Sequence, residues 1–203
     1  MVLTYRGLAS DVRTIGQAAT PDKSQGGSGG WPCGGDCDLI SRMARRPVDN
    51  KDREAVAQFI ETHWKSRTVM SRGRAYQPHE HTGFLETRKG KIVGLLTMVY
   101  EDDALQVLTL NSVLEGERIG SSLMLMAIDE ARKKNIGRIW LTTTNDNLKA
   151  MGFYQRLGFR IVQVNVGAVD EARKTKPQIP DTGLHGIPIH DEIVMELRLQ
   201  SYT

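Results

Sequence analysis

A chain of 203 residues with a formal net charge of +3 is long enough for one domain with additions, and it carries no basic block of the kind that binds nucleic acid. No apolar run could span a bilayer, and the first twenty residues lack the apolar core of a secretory signal. Only two cysteines occur, Cys33 and Cys37, so no disulfide framework is implied and a reducing, cytoplasmic compartment fits. Arg6 and Arg13 would suit a mitochondrial presequence, but Asp11 opposes that reading.

Residues 1–41 read as a disordered extension, with six glycines from Gly26 to Gly35 and little to bury. Cys33 and Cys37 without a second ligand pair do not make a zinc site, so no metal is expected. The domain is expected over 42–203. Its first basic cluster, Arg42, Arg45 and Arg46, reads as solvated. Asp49 caps a helix through Ala55, Val56, Phe59 and Ile60 to Trp64. Residues 66–81 read as polar and irregular. Thr82–Thr87 and Lys91–Tyr100 form a hairpin across Arg88-Lys89-Gly90. Leu105–Ser112 is apolar on both faces, which suits the middle of a sheet.

The turn Glu115–Ser122 opens an amphipathic helix from Ile119 through Leu123, Met126, Ala127 and Ala131. Lys133, Lys134 and Asn135 close it, with Gly137 beyond. Arg138–Thr143 is a strand. Asn147 caps a helix over 148–157 that Gly158 ends, with Leu148, Met151 and Leu157 expected to face the core. Arg160–Gly167 and Ile193–Leu199 are the last strands. Between them the loop 176–192 holds three prolines, Pro177, Pro180 and Pro188, which restrict its shape. It reads as a wall of a substrate site or as a brace over the sheet. The order of elements implies a layered α/β fold with helices on the faces of one sheet.

Two segments, Glu115-Gly116-Glu117-Arg118-Ile119-Gly120-Ser121-Ser122 and Asn147-Leu148-Lys149-Ala150-Met151-Gly152-Phe153-Tyr154-Gln155-Arg156-Leu157-Gly158-Phe159, resemble the acetyl-CoA motifs of the GNAT family of N-acetyltransferases. The likeness covers about 45–200 and is nearest to a bacterial-type subgroup acting on small molecules. It implies a mixed, mainly antiparallel central sheet flanked by helices. It also implies acetyl-CoA as cosubstrate, with no metal. The first turn of a helix offers unpaired N–H groups and partial positive charge, so it can bind a pyrophosphate without side-chain cations. The resemblance places Glu117, Arg118, Ile119, Gly120, Ser121 and Ser122 there. Two positions depart from the family pattern Gln/Arg-x-x-Gly-x-Gly/Ala: Glu115 replaces Gln or Arg, and Arg118 replaces the first Gly.

The family's cofactor strand splays from its neighbour, and its free backbone holds the pantetheine arm. Here that splay is expected at Leu110, Asn111 and Ser112. Asn147 belongs to the second motif. Tyr154 stands where the family places a tyrosine beside the sulfur, and a phenol of pKa about 10 can protonate a leaving thiolate. In the subgroup a Glu is usual where Gln106 stands, and an amide is no base. Substitutes are His79, His81, His190, Asp191 and Glu192. The expected activity is direct transfer of an acetyl group to the primary amine of a small molecule in a ternary complex. A protein or peptide N-acetyltransferase, or a non-catalytic acyl-CoA sensor, is the alternative. A homodimer through edge strands fits the family.

Overall fold

The computed structural model describes residues 43–101 and 103–199; the expected extension over 1–41, with both cysteines, lies outside them. The strands are β1 (Met43–Pro47), β2 (Val69–Ser71), β3 (Arg74–Tyr76), β4 (Thr82–Arg88), β5 (Lys91–Glu101), β6 (Ala104–Ser112), β7 (Arg138–Thr144), β8 (Arg160–Asn165) and β9 (Glu192–Arg198). The α-helices are α1 (Arg53–Trp64), α2 (Ile119–Lys133), α3 (Leu148–Arg156) and α4 (Ala168–Thr175). Seven strands make one sheet in the order β1-β4-β5-β6-β7-β9-β8, and β2 pairs with β3 in a separate hairpin. Every neighbouring pair in the sheet is antiparallel except β6 with β7.

Side-chain alternation along the central strands serves two helical layers. Leu96 of β5 and Leu110 of β6 pack under α2 with Leu123, Met124 and Ala127, and α3 adds Phe153 and Tyr154 to the same core. Leu85 and Leu95 face the other way and meet Val56 and Ile60 of α1. All nine residues of β6 are buried, as a strand covered on both faces requires.

Several expectations need correction. Residues 66–81, read as irregular, contain the β2–β3 hairpin, and α4 was not foreseen in 168–175. Arg45 and Arg46 are not simply solvated. They belong to edge strand β1, where Arg45 Nε donates at 2.5 Å to the fully buried Glu86. Arg46 places its guanidinium fork on Asp52, at 2.5 and 2.8 Å. Local reading saw the charges but not the carboxylates that neutralise them. Leu148 is exposed; Met151 and Leu157 pack against the core as expected, and the fully buried positions of α3 are Ala150, Phe153 and Tyr154.

The start of α2 is fixed by close packing. A Cβ on Gly94 of β5 would lie 2.2 Å from Ile119 Cγ2 and 3.1 Å from Leu123 Cδ1, so the glycine lets this helix sit directly on the sheet. The residue before the helix, Arg118, has φ +54°, a left-handed conformation that crowds any side chain. The glycine of the family pattern would occupy that position without strain.

Gly94→Ala is expected to destabilise the fold by ~1–3 kcal/mol, because the β-branched Ile119 has no other rotamer to adopt in a helix. Arg118→Gly should do the reverse and stabilise by roughly 1 kcal/mol. Thermal unfolding of the two variants beside the parent protein tests both signs.

Candidate functional site

The pairing of β6 with β7 runs from Ala104↔Arg138 to Val107↔Leu141 and stops. Beyond it β7 stays on β9 through Thr144, whereas β6 stays on β5 through Ser112. The two strands therefore fork. The cause is local: Leu108 is an extra residue opposite the Thr97/Met98 step of β5, and a bulge bends and twists the strand that carries it. Leu110, Asn111 and Ser112 lie on the open prong, with backbone groups on that edge available to an extended ligand. The opening begins at the bulge, two residues before the expected position.

The crotch of the fork is closed by side chains. Gln106 Nε2 donates to Ser71 Oγ at 2.8 Å, and Ser71 Oγ lies 3.1 Å from Thr142 Oγ1. This neutral chain ties β6 to β7 through the β2–β3 hairpin. Gln106 is fully buried, and its Oε1 has no hydrogen-bond partner. An amide fits there as a cross-link, and a carboxylate would add a charge away from water.

At the end of the open prong stands the first turn of α2. Ser121 and Ser122 are half-buried, Ile119 and Gly120 are buried, and the exposed Glu117 is held by Arg88 at 3.2 Å. Arg88 also reaches Glu86, at 3.2 Å, so the turn before α2 is tethered to β4 by a run of alternating charges. The residues present fit a pyrophosphate. The turn is seated by Gly94, the N–H groups of Ile119, Gly120 and Ser121 precede the first helical bond, which Ser122 makes to the Arg118 carbonyl at 2.9 Å, and no carboxylate occupies the first turn.

The other wall comes from α1. Trp64 Nε1 donates at 2.7 Å to Asn111 Oδ1 and so fastens the end of this helix to the open prong. Beside that contact lies a cleft of about 710 Å³, whose lining includes His63, Lys65, Asn111, Ser112 and Lys176. Lys176 donates to Ser66 Oγ at 3.1 Å and to the Thr68 carbonyl oxygen, joining the loop after α4 to the segment after α1. Burial pushes this ammonium below the usual lysine pKa.

The proline-containing loop is ordered by two neighbours. Asn145 donates to the Pro188 carbonyl at 2.8 Å and accepts from the His190 and Asp191 amides at 3.0 and 3.1 Å. Asp146, buried, accepts from the Leu184 amide at 2.9 Å and from Thr144. From α4, Arg173 donates to the carbonyls of Ile179, Pro180 and Ile189, over a small core of Val169, Ile179 and Ile189. The loop is thus a brace by its hydrogen bonds and a cleft wall by Gln178, Ile179 and Pro180.

Asn147 accepts from the Ala150 amide at 3.3 Å, the cap read from the sequence. Tyr154 is 1% exposed and faces inward from α3, with ring centroids 5.1 Å from Phe153 and 5.7 Å from Phe159. It belongs to the core that contains Leu110 of one prong and Leu141 at the crotch. None of the five substitute bases lines the cleft. His190 pairs with Asp170 at 3.0 Å, and Asp191 accepts from the Gly167 amide at 2.9 Å. Buried Glu192 accepts from the Arg72 amide at 3.1 Å and lines a separate cavity of about 410 Å³. Burial lowers the pKa of His81, whose ring rests on Tyr76, centroids 6.0 Å apart; His79 lies just before it in a 3-10 turn, 78–80, its Nδ1 buried without a partner. Sequence reading missed His63, Trp64 and Lys176. The only signal for His63 was its place three residues after Ile60 on the buried stripe of α1. Among the described residues, no group of three or more His, Cys, Asp or Glu side chains could hold a metal ion, and no helix is long and apolar enough to cross a membrane.

Comparisons agree with this geometry. Residues 48–159 match the model of the acetyltransferase (GNAT) family. An uncharacterized protein of Bacillus subtilis (strain 168), YxbD, is 37% identical over 155 residues, 76% of this chain and 98% of its own. A second from the same organism, YdhI, is 32% identical over 149 residues, 73% of this chain and 93% of its own. A GNAT family acetyltransferase from Elizabethkingia anophelis, solved with acetyl-CoA bound, shares the fold at a TM-score of 0.54 and 17% identity, covering 78% of this chain and 99% of that one. The chain belongs to the acetyltransferase (GNAT) family, enzymes that move an acetyl group from acetyl-CoA to an amine.

Proposed function

We propose that this protein acetylates the primary amine of a small molecule by direct transfer in a ternary complex. The observation that carries the reading is the fork between β6 and β7, with a phosphate-competent helix start at its end and a cleft at its side. Acetyl-CoA supplies the activated acyl carbon and a thiolate leaving group. The backbone of Leu110, Asn111 and Ser112 holds the pantetheine arm, and one N–H there polarises the thioester carbonyl. The amides of Ile119, Gly120 and Ser121 and the hydroxyl of Ser122, with Arg118 beside them, take the pyrophosphate. Tyr154 gives its phenolic proton to the departing sulfur.

The cleft volume suits a small ligand. Its charged lining is basic, from Lys65 and Lys176, with no carboxylate. This favours an acceptor that carries an anionic group beside its amine over a polyamine. We assign the enzyme to the cytoplasm and propose that it forms a homodimer. Edge strand β8 pairs only with β9 and exposes Ile161 (45%), Val162 (53%) and Val164 (48%), a surface that a second copy would cover.

CoA release over a panel of amino acids, polyamines, simple amines and peptides tests the activity. Turnover with carboxylate-bearing amines is the expected result; acetyl-CoA binding without turnover would indicate a sensor instead. Tyr154→Phe should lower kcat on the order of 10²-fold while acetyl-CoA affinity changes less than about threefold. Val164→Lys should shift the protein to monomer in sedimentation without loss of fold; a parent protein that sediments as monomer rejects the dimer.

A further inference from the structure

We propose that His63 is the general base for the acceptor amine, the role that Gln106 cannot fill; this rests on the N-acetyltransferase reading above. Three observations converge on it. His63 continues the inward stripe Val56–Ile60 of α1, but at the point where that stripe leaves the core and enters the cleft. Its neighbour Trp64 is clamped to Asn111 at 2.7 Å, so the imidazole is fixed beside the open prong and not on a mobile loop. Its ring is held edge-on against Phe59, with centroids 4.4 Å apart, which limits its rotation. None of the carboxylates and histidines named from the sequence lines this cleft, and Glu192 lies at another cavity.

The charge state suits the task. Lys65, just beyond the end of α1, is the charged neighbour that acts on the ring; Lys176 lines the same cleft, and no carboxylate does. Burial, and then the Lys65 charge, hold the imidazole below the ordinary histidine pKa. His63 is therefore neutral at pH 7 and able to accept a proton.

The protons balance as follows. The acceptor arrives as an ammonium, and one proton passes to His63, directly or through one water, and on to solvent. The freed nitrogen pair forms the N–C bond. The second nitrogen proton then leaves as the C–S bond breaks, and it replaces the one that Tyr154 gives to sulfur.

The experiment compares pH–rate profiles of the parent protein, His63→Ala and the near-isosteric His63→Asn, with acetyl-CoA binding measured by calorimetry for each. The parent kcat/KM should fall as pH drops through a pKa below about 6.5, because protonated His63 cannot act as base. Both variants should bind acetyl-CoA as the parent does, lose roughly 10²-fold in kcat/KM at pH 7, and lose that acidic limb. Added imidazole should restore part of the rate to His63→Ala. Variants that keep the acidic limb overturn the proposal, whether their rate is unchanged or reduced, and the acetyltransferase reading stands. A parent protein that releases no CoA with any amine overturns both.

Discussion

The parting of two parallel strands governs this molecule. Backbone amides in a sheet interior are normally consumed by the ladder, and leaving them open is unfavourable unless something else binds them. Here β6 gives up its β7 ladder after Val107, at the bulge on Leu108. The opening is stable because both prongs remain paired on their outer sides and the crotch is tied by Gln106, Ser71 and Thr142. A ligand with amide groups and a long thin body can complete what the sheet leaves unfinished. Asn111 pairs with Leu95 of β5 and shares its face, which is why its side chain meets Trp64 of α1.

The segment Asn145-Asp146-Asn147 at the end of β7 does three jobs in three residues. Asn145 and Asp146 hold the loop 176–191, and Asn147 starts α3. Gly183 must be glycine-sized for this, since a Cβ there would lie 2.0 Å from Asp146 Oδ2. The helix that bears Tyr154 and the wall of the cleft are therefore set from one turn. Position of Tyr154 and shape of the cleft are coupled through it.

The amphipathic period of α2, the cap at Asn147 and the doubly apolar run of β6 were legible because each depends on neighbours within a few residues. The two segments that resemble the family's motifs were legible for the same reason, and the family match agrees with them. Arg118 in a glycine position looked like damage to a motif; in the fold it is a local strain that the backbone accommodates at φ +54°. Charge was less legible. Arg45 and Glu86 are 41 residues apart, and nothing local shows that one neutralises the other.

The cleft itself was not legible. His63, Asn111 and Lys176 come from a helix, a strand and a loop, and only the packing of α1 on the sheet and the anchoring of the loop by Asn145 and Arg173 bring them together. The sequence determined the family, the central strands, and the helices that begin at Ile119 and carry Tyr154, because these are set by short-range pattern. Tertiary structure decided which basic groups line the cleft, that Gln106 is a cross-link, and that the proline loop is both brace and wall. Those depend on contacts between residues far apart in the chain, whose energies appear only once the backbone has folded.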